Sequence, residues 1–118
     1  MEIVKTKISI KRVREIAQSG FGEFVKAVVD IERKIMAIDA ELHADEEALL
    51  LANGSRQQDL WGINIYPDIS DPEKRIEFNS MINIRPQAGN RTRGIDNPQI
   101  RAKIIEVLKG LLDDELSA

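Results

Sequence analysis

Two hydrophobic periods meet near residue 25 of this chain, and their order limits the fold more than any other feature. Before it, Ile10, Val13, Ile16 and Ala17 recur at helical spacing. Ser9 stands where its hydroxyl accepts a bond from an orphan amide at the helix start, and Gly20 stops the pattern. After it the period is two. Val25, Ala27, Val29 and Ile31 share one strand face. Beyond an expected turn at Glu32-Arg33, the alternation resumes with Met36, Ile38, Ala40 and Leu42 against Asp39, Glu41 and His43. Leu60–Tyr66 reads as a strand ended by Pro67. Arg75–Arg85 alternates most cleanly, with Ile76, Phe78, Ser80, Ile82 and Ile84 opposite Glu77, Asn79, Met81, Asn83 and Arg85.

The remaining segments frame these strands. Met1–Lys7 reads as an edge strand. Ala44–Ala52 fits two states, because Asp45 suits a helix cap and Glu and Ala favour helix, while Asn53-Gly54 is a strong hairpin signal. A strand over Glu47–Leu51 is expected there. Asn97-Pro98 opens a final helix with the apolar stripe Ile100, Ile104, Val107, Leu108 and Leu111, followed by a frayed acidic tail, Asp113-Asp114-Glu115. The sum is one α+β domain over residues 1–118: a four- to five-stranded antiparallel meander sheet, with an N-terminal and a C-terminal helix packed on one face. The other face, carrying Asp39, Glu41, His43, Asn64, Asn79, Asn83 and Arg85, is expected to be polar.

Composition bounds the chemistry. With 118 residues, 42% hydrophobic and 31% charged, the chain has material for one core without staples. A net charge of −3 argues against coating nucleic acid through bulk charge, but leaves a local basic site open. The absence of cysteine removes disulfides, thiolate metal sites and cysteine nucleophiles. The N-terminus is charged throughout and has no apolar core of a signal peptide, and the longest apolar run, Ala48 to Ala52, is too short to span a bilayer. A cytoplasmic protein without membrane contact is expected.

Three stretches, ELHAD, DLWGINIYP and SMINIRPQAGNR, are the most distinctive pieces of the region from about Val25 to Ile105. That region resembles a family of short bacterial conserved hypothetical proteins with no assigned activity. The resemblance implies a bacterial-type cytosolic protein and transfers no catalytic residue.

The connection Arg85–Asn97 is the leading candidate site. It runs for thirteen residues, where connections in compact domains have medians of about 4–6. Arg85, Arg91 and Arg93 against Asp96 give it a net charge of +2 on an acidic chain. A guanidinium fork donates paired hydrogen bonds to planar oxyanions, and Gly89 and Gly94 let backbone amides turn inward. Arg85, Asn90, Arg91, Arg93 and the neighbouring Asn83 are therefore expected to hold an anionic ligand, a nucleic-acid phosphate or a partner protein. The bland alternative is that the arginines pair with carboxylates of the sheet. The loop lacks the GxxxxGK[ST] pattern of a P-loop, and no cofactor is implied.

Asp39, Glu41, His43 and Asp45 form a second candidate. Alternate residues on a strand face the same way, so they could meet a magnesium or manganese ion, as in a metal-assisted phosphodiesterase or ribonuclease. The plain reading is the wet face of a strand. Trp61 shares a face with Ile63 and Ile65 and is expected in the core, and no GxSxG elbow supports nucleophilic catalysis. The final helix is apolar over a broad arc, Ile104, Ile105, Leu108, Leu111 and Leu112, which would suit a homodimer.

Overall fold

The computed structural model describes residues 1–114; Glu115, in the expected acidic tail, lies outside them. The chain runs β1 (Glu2–Val4), β2 (Ile8–Ser9), α1 (Ile10–Ser19), β3 (Val25–Asp30), β4 (Ile35–Ile38), α2 (His43–Ala52), β5 (Leu60–Ile65), β6 (Ile76–Glu77), α3 (Pro98–Leu111) and β7 (Leu112–Asp113). Five strands form one antiparallel sheet in the order β1-β4-β3-β5-β6, and β2 pairs with β7 in a small parallel ribbon. Asp113 is thus part of a strand rather than of a frayed tail.

The cap residues read from the sequence hold the helices. The Ser9 hydroxyl accepts from the Arg12 amide at 3.0 Å, and Asn97 Oδ1 accepts from the Gln99 amide at 2.8 Å with Pro98 at the first helical position. The β3–β4 turn works without asparagine or glycine. Asp30, fully buried, accepts from the amides of Glu32 and Arg33 at 2.9 Å each and from the Ser55 hydroxyl at 2.6 Å, while Lys34 takes the left-handed conformation at φ 58°.

Helices α1 and α3 lie on one face, as expected. Their Val13, Ile16, Ile104, Val107 and Leu108 pack with Val25, Ala27, Val29, Met36, Ile38, Trp61 and Ile63 in the main core. The arc that suggested a dimer is used here: Ile104, Leu108 and Leu111 are buried, and Ile105 and Leu112 pack against them. The opposite face is not wet. A second, smaller core of Val28, Ile35, Ala37, Leu50 and Leu60 lies there, covered by α2 and by Ile82.

Further sequence expectations fail on this second face. Glu47–Leu51 is helical, not a strand, because α2 carries the chain from β4 across the sheet to place β5 beside β3. The same crossing departs at this point from a sequential meander. Asp45 and Glu46 in its first turn favour the positive helix end, and Asn53-Gly54 ends the helix, with Gly54 at φ 97°, instead of turning a hairpin. Truncating Leu50, the only fully buried leucine of α2, to alanine would cost about 2–5 kcal/mol by opening a cavity beneath the helix.

The alternating run Arg75–Arg85 pairs as a strand only at Ile76–Glu77. Beyond it the chain lifts onto the second face and forms a 3-10 turn at Met81–Asn83. Ser80 comes so close to β5 that a Cβ on Gly62 would lie 2.5 Å from Ser80 Cβ, so only glycine fits there. The Asn83 amide then takes the place of a neighbouring strand. Its Oδ1 accepts from the Gly62 amide at 2.8 Å and its Nδ2 donates to the Gly62 carbonyl at 2.9 Å, closing an otherwise open sheet edge.

Candidate functional site

The loop from Arg85 is organised by backbone pairing and one buried asparagine. Arg85 and Asn90 form an isolated antiparallel bridge, amide to carbonyl at 2.7 and 3.1 Å, around a 3-10 turn at Pro86–Ala88 closed by Gly89 at φ 83°. The side chain of Asn90 is buried. Its Nδ2 lies within bonding distance of the carbonyls of Asn83, Thr92 and Gly94 (2.7, 3.1 and 2.8 Å), and its Oδ1 accepts from the Asp96 amide at 2.8 Å. Asn83 reaches the same loop, donating to the Arg93 carbonyl at 3.0 Å, which also accepts from the Ser80 amide at 2.9 Å. Ile95 anchors the loop in the main core. These bonds fix the backbone on both sides of Arg91 and Arg93.

The three arginines divide into two kinds. Arg85 is used internally: it donates to the Leu60 carbonyl, its guanidinium lies 4.6 Å from the centre of the Trp61 ring, and it pairs with Glu47 of α2 at 3.7 Å. Arg91 and Arg93 are exposed, and neither guanidinium makes a hydrogen bond or ion pair among the described residues. Asn83 and Asn90, read from the sequence as ligand contacts, instead hold the loop that carries these two cations.

The residues of the second candidate are separated. β4 ends at Ile38, and Asp39 turns the chain at φ 73° with its carboxylate 3.7 Å from the N-terminal amine. His43 begins α2 and points inward, its Nε2 2.7 Å from the Ile63 carbonyl; burial holds its pKa below the ordinary 6.5, and the Lys26 and Arg93 charges act in the same direction. Glu41 and Asp45 are exposed. Among the described residues, no group of three or more histidine, aspartate or glutamate side chains converges as a metal site would require. The strand that was to align them is not there.

Sequence reading missed two features. Glu46 is fully buried beneath α2; its Oε2 accepts from the Ala40 amide at 3.1 Å, its Oε1 has no partner among the described residues, and burial pushes its carboxyl up to about 9. Burial thus favours the neutral carboxylic acid in the folded chain. The other is an open cleft of about 610 Å³ beside Arg85, between the 81–88 segment, the turn before β5 and α2. Its helical wall includes Glu47, assigned to a strand in sequence. The acidic first turn of α2 was the signal that pointed the other way.

No helix among the described residues is long and apolar enough to cross a membrane. No curated protein and no solved structure matches the chain. A family model described as protein of unknown function (DUF5674) matches residues 2–111, nearly the whole length described above. The chain belongs to the DUF5674 family of proteins of unknown function.

Proposed function

We propose that this chain is a binding module for a phosphate-bearing anionic ligand, engaged by Arg91 and Arg93. The observation that carries the reading is the contrast within one loop. Arg85 has an internal carboxylate and carbonyl, whereas Arg91 and Arg93 are exposed and unpaired on a backbone held by Asn83 and Asn90. A clamped loop loses little conformational entropy on binding, so more of the interaction energy appears as affinity. The N-terminus of α3 follows directly and adds its partial positive charge.

Titration calorimetry with inorganic pyrophosphate at low ionic strength tests this. Replacing both Arg91 and Arg93 by alanine should weaken binding at least about tenfold, since hydrogen bonds to charged groups contribute about 1.5–3 kcal/mol each before solvent screening. Both side chains are exposed, so the melting temperature should hardly change. Undiminished pyrophosphate binding by the double variant would place the site elsewhere.

A further inference from the structure

We propose that the cleft beside Arg85 receives a nucleobase, so that the ligand is a nucleotide, free or within a single strand, whose phosphate lies at Arg91 and Arg93. This deepens the anion-site reading and rests on it.

One residue lining the cleft, Arg85, sits against an aromatic ring. Its guanidinium, a planar cation, lies over the Trp61 ring, 4.6 Å from the ring centre. Guanidinium planes stack on nucleobases, and stacking tolerates any base because each has a π-face. The walls supply both characters that a base edge needs. Met81 and Ile84 are apolar and exposed, at 64% and 38%. The lining also includes the Gln58 amide, a donor and acceptor, and the Glu47 carboxylate, an acceptor. A volume of about 610 Å³ is in the range of small-molecule sites.

Arg85 and Asn90 are a hydrogen-bonded antiparallel pair, so their Cα atoms lie about 5.5 Å apart, and Arg91 is one residue further, about 3.8 Å. Arg91 therefore starts within about 9 Å of Arg85. A cleft of mixed polarity lined by one residue of this bridge, with a cationic residue one position beyond the other, would suit the two ends of a nucleotide. The same bridge fixes their relative placement, which a flexible loop would not do.

Trp61 is the only tryptophan and lies under Arg85, so its fluorescence reports on the cleft. The full chain is titrated with inorganic phosphate, adenosine, the four nucleoside monophosphates and a single-stranded oligonucleotide. At least one monophosphate should bind tenfold or more tightly than inorganic phosphate. Met81→Ala and Gln58→Ala, both at exposed positions that leave the fold intact, should weaken the monophosphate several-fold and inorganic phosphate not at all. Tighter binding of the oligonucleotide than of any monophosphate would identify a strand as the source, and the reverse a free nucleotide. Equal affinity for inorganic phosphate and all four monophosphates overturns the proposal, as does nucleotide binding indifferent to both cleft variants. Failure of the anion reading looks different: adenosine still binds in a Met81-dependent way, while the Arg91 and Arg93 double variant keeps full affinity for monophosphates.

Discussion

Glu46→Gln tests the seat of α2 on the sheet. Burial moves the Glu46 carboxyl from an ordinary 4.5 to about 9, against the lowering effects of the Ala40 N–H bond and of Lys26. The unfolded chain loses this proton near pH 4.5 and the folded one near 9, so between those values the folded state holds one more proton. The sign follows directly: the stability contribution is full below 4.5 and is lost as pH rises toward 9. At about 1.4 kcal/mol per pH unit, the loss by pH 7 approaches about 3 kcal/mol. Glutamine has nearly the same shape, keeps an oxygen for the Ala40 amide and cannot ionise. The stability difference between Glu46→Gln and wild type should therefore be flat below pH 4.5 and grow by about 3 kcal/mol in the variant's favour by pH 7. Burying an amide group without an acceptor adds an offset of about 1–3 kcal/mol at every pH, which moves the curve without changing its slope. Urea denaturation followed by circular dichroism at several pH values from 4 to 7.5 measures the difference. A difference that stays constant across that range would refute a neutral, buried Glu46.

Asn90→Ala removes the side chain that bonds three carbonyls and one amide, and should cost about 3 kcal/mol in denaturation experiments while accelerating hydrogen exchange at the Asp96 amide. Gly62→Ala should destabilise by more than about 2 kcal/mol, with Ser80→Gly in the same chain restoring part of the loss; equal melting of wild type and Gly62→Ala would contradict the close approach. His43, held below 6.5 by burial, resists protonation that the unfolded chain accepts, so its contribution is present above pH 6.5 and fades as pH falls below it. An imidazole midpoint below 6.5 by NMR, and a His43→Gln variant whose stability deficit shrinks on acidification, are expected.

The candidate loop was legible from length, glycines and charge, because those properties survive without tertiary context. What each of its residues does was not. Arg85, Arg91 and Arg93 look alike in sequence, yet only Arg85 lies within reach of Glu47 and the Trp61 ring. Asn83 and Asn90 read as ligand-facing amides, but an asparagine also satisfies buried backbone groups, and here the fold supplies those groups to both.

Local chemistry alone determined the first and last helices, their caps, and the strands over residues 25–30 and 60–65, because there the apolar period coincides with the buried face. Tertiary structure decided α2 and the segment after β6. The face that α2 buries is His43, Glu46 and Leu50, two polar residues out of three, while Leu51 remains 41% exposed. No hydrophobic period can announce such a helix. Its polar buried positions are tolerable only because the sheet supplies the Ile63 carbonyl and the preceding turn the Ala40 amide. After β6, perfect alternation failed because Asn83 is bonded to Gly62 of another strand and Ser80 lies against it, a neighbour that sequence spacing does not reveal.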